Sequence, residues 1–91
     1  MFFKFFFADN LIFMDWRRLQ SFKNISKFKS FTEASKELKK SQSSLSRDII
    51  ILEKSTGYKI FKRNIRGIEL TEQGNKLLKI VDEFNKQIEN I

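Results

Sequence analysis

The stretch SQSSLSRDII, residues 41–50, gathers the polar groups of this chain best suited to chemistry. Four of its first six residues are serine, Gln42 adds an amide and Arg47 a guanidinium. Hydroxyls and amides both donate and accept hydrogen bonds, and a guanidinium donates in a fixed planar fork. None of these groups transfers protons near neutral pH, so they offer recognition rather than bond-making. The rest of the chain points the same way. It has no histidine and no cysteine, which removes the commonest general base, thiolate nucleophiles, disulfides and the usual transition-metal ligands. No pair of carboxylates stands out from the solvated background. An enzyme is therefore not expected, nor is a metal or other cofactor.

Charge narrows the choice of partner. The 91 residues allow one domain with one small core, and 41% hydrophobic content is enough to fold it. The net charge of +7 sits in the middle of the chain: residues 14–71 hold 14 Lys/Arg against 6 Asp/Glu, whereas residues 72–91 hold 3 against 4. Such a block is either an ordinary solvated face or a seat for a polyanion, and nucleic acid is the natural polyanion.

The elements around the polar stretch can be read from hydrophobic period. Trp16, Leu19, Phe22 and Ile25 recur every third residue and predict a first helix from Asp15. Ser30-Phe31-Thr32-Glu33 reads as a capping box opening a short helix with Phe31, Ala34 and Leu38 inward. Lys39-Lys40-Ser41-Gln42 is a polar break. A helix from about Ser43 to Ser55 follows, with Leu45, Ile49 and Leu52 inward and Gly57 as its stop. Two short helices across such a break have the spacing of a helix-turn-helix. After Gly57 the period becomes strand-like. Tyr58, Ile60 and the run to Arg63 form one strand, Ile68 and Leu70 mark the other, and Asn64-Ile65-Arg66-Gly67 is the turn, a wing over about 58–70. Lys54, Lys59, Lys62, Arg63 and Arg66 lie here with no acid between them. Thr71 can cap a last helix from Glu72. In it Leu77, Val81, Phe84, Ile88 and Ile91 make a heptad-like seam, suited to self-association or to packing on the chain's own domain.

The fold expected is thus mostly α with a small β-hairpin: a winged helix-turn-helix followed by a long C-terminal helix. In that geometry the second helix of the motif enters the major groove with its N-terminal residues at the base edges. Gln42 then suits adenine, Arg47 suits guanine or a phosphate, and the serines can approach both bases and backbone. Arg63 and Arg66 would reach the backbone or a narrow minor groove. The plainer alternative makes residues 41–46 caps and solvent positions, and the two arginines aids to solubility.

Residues 14–71 resemble the N-terminal DNA-binding domain of LysR-type transcriptional regulators. The resemblance lies in MDWRRLQSF, in SFTEASKELKKSQSSLSRDIIILEKSTGYKIFKRN and in IELTEQG. It implies a bacterial, cytoplasmic regulator that binds double-stranded DNA as a homodimer or higher oligomer. It puts the helix-turn-helix at about residues 31–50 and places DNA contacts at Thr32, Ser41, Gln42, Ser43, Ser44, Ser46 and Arg47, with the wing at Arg63 and Arg66. Residues 72–91 look like the family's linker helix, pairing through Leu77, Val81, Phe84, Ile88 and Ile91. Three places depart from the pattern. Ser43 stands where proline is usual, Ile50 and Ile51 stand where charged residues are common, and Ile65 replaces a small turn residue. Members also carry a C-terminal effector-binding domain that has no counterpart before Ile91, so no small-molecule effector site is expected in these residues.

Residues 1–13, MFFKFFFADNLIF, hold six of the eleven phenylalanines but are too short and too interrupted by Lys4, Asp9 and Asn10 to span a bilayer. Translation is expected to begin at Met14, with an apolar anchor or partner segment as the alternative. Two rival functions stay open. One is a truncated partner that dimerises with a full-length regulator and modulates it without strong DNA binding of its own. The other is association with a membrane surface through the Phe-rich start and the basic block.

Overall fold

The computed structural model describes residues 16–91. The expectations for residues 1–13 and for a start at Met14 lie outside the described residues.

The first helix, α1, covers residues 16–25, and its three-residue spacing puts Phe22 and Ile25 wholly inside. α2, Phe31–Leu38, opens where the Ser30 hydroxyl accepts from the Glu33 N–H at 3.0 Å. That bond satisfies one of the donors a helix start leaves unpaired. Phe31 and Ala34 face the core. α2 closes on Lys39, whose left-handed backbone (φ 56°) turns the chain and sends its N–H to the Ser35 carbonyl. α3 runs Gln42–Thr56, one residue longer at each end than its pattern predicts. Gln42 belongs to its first turn rather than to the break, because Ser41 takes the capping position and accepts from the Ser44 N–H at 3.1 Å. Leu45, Ile49 and Leu52 are buried, and Gly57 ends the helix with φ 81°.

β1, Phe61–Asn64, and β2, Gly67–Leu70, pair antiparallel with Phe61 opposite Leu70 and Asn64 opposite Gly67. The first strand begins later than Tyr58, and the reason is hydrogen bonding. The Ile60 N–H goes to a Glu53 carboxylate oxygen at 2.9 Å, and its carbonyl accepts from the Thr71 N–H at 3.1 Å. Residues 58–60 therefore tie the hairpin to its neighbours instead of extending the ladder. Phe61 packs edge-on to Phe22, 5.5 Å between ring centres, and so joins the hairpin to the core shared by α1, α2 and α3.

α4, Glu72–Glu89, starts on Thr71, whose hydroxyl accepts from the Gly74 N–H at 3.0 Å and donates to the Lys59 carbonyl at 2.6 Å. Gly74 is required by close approach, since a Cβ there would overlap the Ile60 carbonyl oxygen. Leu77 and Leu78 pack on the core, and Val81 is buried at 2% exposure. Further along, Gln20 and Asn85 exchange two amide hydrogen bonds of 3.1 Å each. Lys23 pairs with Asp82 at 3.1 Å, and Trp16 stacks obliquely on Phe84 at 5.2 Å. α4 is thus laid along α1 for much of its length.

Replacing Gly74 by alanine is expected to destabilise the fold by roughly 1–3 kcal/mol, the usual cost of forcing atoms into a filled space. Ile65→Ala, at the fully exposed wing tip, should leave stability unchanged. Urea unfolding of the two variants beside the parent protein checks the contrast.

Candidate nucleic-acid interface

The polar edge of α3 is open. Ser41, Gln42, Ser43, Ser44 and Arg47 are exposed and Ser46 is partly buried, while Leu45 between them is wholly inside. Part of this edge is structural: the Ser41 hydroxyl is the helix cap and lies 3.4 Å from the Ser43 hydroxyl. The first turn holds no acidic side chain, so its outward N–H groups present a partial positive charge suited to an anion. Asp48, the nearest carboxylate along the helix, is turned aside to Arg18 at 3.6 Å. Arg47 has no hydrogen-bond or ion-pair partner among the described residues. Thr32 is exposed in the first turn of α2.

The wing is shaped by its own turn. The Asn64 side-chain oxygen accepts from the Arg66 and Gly67 N–H groups at 2.9 and 3.1 Å, closing a two-residue turn of Ile65 and Arg66. Gly67 has φ 140°, and a Cβ there would overlap the Lys29 carbonyl oxygen. That same carbonyl accepts from the Ile68 N–H at 2.8 Å, which stitches the wing to the loop before α2. Arg66 stands exposed at the tip.

Two of the five wing-side cations meet acids that flank them in sequence. Lys59 pairs with Glu53 at 3.6 Å, and Lys62 pairs across the hairpin with Glu69 at 3.2 Å. The Lys62–Glu69 pair is exposed at both ends and worth about 0–1 kcal/mol, and the Lys59 ammonium stays exposed although Glu53 is largely covered, so both lysines stay available to a stronger anion.

Arg63 lies elsewhere than its place beside the turn suggests. Its guanidinium donates to the Ser46 hydroxyl at 3.0 Å and sits 4.7 Å above the Phe31 ring, which is itself edge-on to Phe61. Arg63 and Ser46 are therefore brought together across the groove between wing and helix, while Arg66 is held apart at the tip. The signal for this was present in the sequence. Strand side chains two apart share a face, so Arg63 follows the inward Phe61 towards α3. The anchoring role of Glu53 had no such signal.

On α4 the seam divides. Leu77 and Val81 face the chain's own core, whereas Ile80, Phe84, Ile88 and Ile91 are exposed, Ile80 at 63%. Ile80 falls outside the four-and-three spacing read from sequence, yet it is the most exposed apolar side chain in the helix itself. Among the described residues no cluster of acidic side chains could hold a metal ion, and no helix is long and apolar enough to cross a membrane.

Comparison with known proteins gives this geometry a context. Residues 16–75 match the family model for the bacterial regulatory helix-turn-helix protein, lysR family. The transcriptional regulator CzcR of Bacillus subtilis (strain 168) is 35% identical over 78 residues, covering 86% of this chain and 27% of that protein. The crystal structure of the CbnR DNA-binding domain in complex with DNA superposes with a TM-score of 0.73 at 28% identity, over 81% of this chain and 85% of that one. The BenM DNA-binding domain on its benA site 1 DNA gives 0.72 at 27% identity, over 81% and 86%. The chain spans about a quarter of the length of the curated relatives first matched, 27%, 26% and 22% of them.

Glu53→Ala should cost about 1–3 kcal/mol, because it leaves the buried Ile60 N–H without a partner. Lys59→Ala, which removes only the exposed ion pair, should leave stability nearly unchanged. Amide hydrogen exchange at Ile60 should accelerate in the first variant alone.

Proposed function

The chain belongs to the LysR family of bacterial helix-turn-helix regulators, and from that membership we propose that it reads double-stranded DNA with α3 in the major groove. The helix-turn-helix is a LysR-type DNA-binding domain. The observation that carries the finer reading is the open N-terminal edge of α3, free of acids, with Arg63 of the wing bonded to Ser46 at its side. The two structural matches named above were both determined with DNA.

In this reading the division of labour follows from chemistry. The backbone N–H groups at the start of α3, Thr32 and the hydroxyls of Ser41 and Ser44 face phosphates and set the register. Gln42 offers donor and acceptor together to adenine, and Arg47 forks onto guanine or a phosphate. Ser43 and Ser46 are short enough to let the helix approach. Arg66 enters the flanking minor groove, and Arg63 holds the wing at a set distance from α3. Lysines of the basic block supply salt-dependent affinity by releasing counterions. Residues 14–71 form the reading unit, acting in the bacterial cytoplasm where the chromosome lies. Residues 72–91 join two copies through the face bearing Ile80, Phe84, Ile88 and Ile91, with Leu77 and Val81 beneath it. A two-fold dimer would then read an inverted repeat.

Selection of random duplexes by the protein, at two salt concentrations, should enrich an inverted-repeat site. Arg47→Ala should weaken binding to it by roughly 1–3 kcal/mol and blur one position per half-site, whereas an equal loss on all sequences would leave Arg47 a phosphate role only. Arg66→Ala should flatten the salt dependence by about one unit of slope. Ile88→Asp, on the exposed face of α4, should give a folded monomer in sedimentation equilibrium. A dimer of unchanged mass would remove α4 from the interface.

A further inference from the structure

Building on the DNA-binding reading above, we infer that Ile50 is a base-reading residue whose side chain packs against the 5-methyl group of a thymine. α3 is a regular helix over Gln42–Thr56, so positions three, four and seven residues apart share a face. With Leu45, Ile49 and Leu52 buried, the opposite face carries Ser43, Ser46, Arg47 and Ile50. A helix lying in the major groove presents residues at this spacing to successive bases. Three of the four are polar. The fourth is an isoleucine, 47% exposed, while its neighbour Ile51 turns to the partly buried flank.

A single exposed aliphatic side chain needs no explanation by itself. Its surroundings give this one a meaning. Ile50 lines a groove of about 420 Å³ between α3 and the wing, where Lys59, Lys62 and Arg63 stand beside the Glu53 carboxylate that pairs with Lys59. Those cations suit phosphates, which an aliphatic group between them cannot bind. The one apolar group that base pairs present in the major groove is the thymine methyl. A β-branched side chain also has few rotamers, so the methyls of Ile50 are placed before any ligand arrives. Ile50 lies about 4.5 Å along the helix from Arg47, which puts the thymine roughly one to two base pairs from the position Arg47 reads.

The test uses the full chain and the duplex enriched by selection. Each thymine of a half-site is replaced in turn by deoxyuridine, which removes the methyl and keeps every hydrogen-bonding group. Fluorescence anisotropy should show binding about threefold to fivefold weaker at one such position, the effect of losing one buried methyl. Ile50→Ala should bind the thymine and uracil duplexes equally there. Arg47→Ala should keep that thymine preference and lose its own at another base pair. Duplex binding with no position sensitive to the methyl, or a thymine preference that survives Ile50→Ala, would overturn the role of Ile50 and leave DNA binding intact. So would an enriched site with no thymine beside the Arg47 position. Failure to bind any duplex at low salt would overturn both readings.

Discussion

Burial of one face of α3 is the constraint on which the rest of the molecule depends. Leu45, Ile49 and Leu52 are each at most 3% exposed, and each contributes about 1.5–3 kcal/mol by leaving water. Turning the helix by a single residue would lift part of that stripe into solvent and drive Asp48 or Glu53 towards the core. Burying an unpaired charge costs more than the stripe would recover. The helix is therefore locked in rotation, and the outward row of Ser43, Ser46, Arg47 and Ile50 follows from the inward one. A row of hydroxyls, a guanidinium and one aliphatic is held at fixed spacing by residues buried in the core.

The wing inherits its position from the same helix. A two-stranded hairpin alone is marginal in water. Here it is held by Phe61 in the core, by Glu53 on the Ile60 N–H, by Ser46 on Arg63 and by Lys29 on the Ile68 N–H. Two of the three partners outside the hairpin, Glu53 and Ser46, belong to α3. The distance between the helix edge and the wing is thus set in advance of any ligand. A protein built this way spends little of its binding free energy on ordering itself.

α4 serves two surfaces with one helical period. At 18 residues it is about 27 Å long, more than the core alone can cover. Leu77 and Val81 go inward, and Ile80, Phe84 and Ile88 remain on the outer side. Phe84 touches Trp16 and still keeps 48% of its surface open. The amide pair of Gln20 and Asn85 ties the helix to α1 and fixes which way the outer stripe faces. Any copy that pairs on that stripe, as proposed, would have its own reading helix set at a defined angle.

The sequence by itself determined the elements, because their signals are local. Hydrophobic period placed the helices, and Ser30 and Thr71 marked two of their starts with side chains that reach only three residues on. Gly57 and the Asn64 turn marked the stops. The polar edge of α3 was legible for the same reason, as the complement of a buried stripe on one helix. Tertiary structure alone decided what depends on residues far apart in the chain. Lys59 and Lys62 read as unopposed cations until folding brought Glu53 and Glu69 beside them. Strand alternation puts Arg63 on the face of Phe61, but only folding carried it to Ser46, 17 positions away, and over Phe31. The start of β1 depended on a carboxylate from α3, which no strand pattern contains. The heptad spacing of α4 could not say which of its apolar residues would be used at home, since a core and a partner present the same chemistry to leucine and valine. Only the packing of α1 against α4 separated Val81, which is buried, from Ile80, which is not.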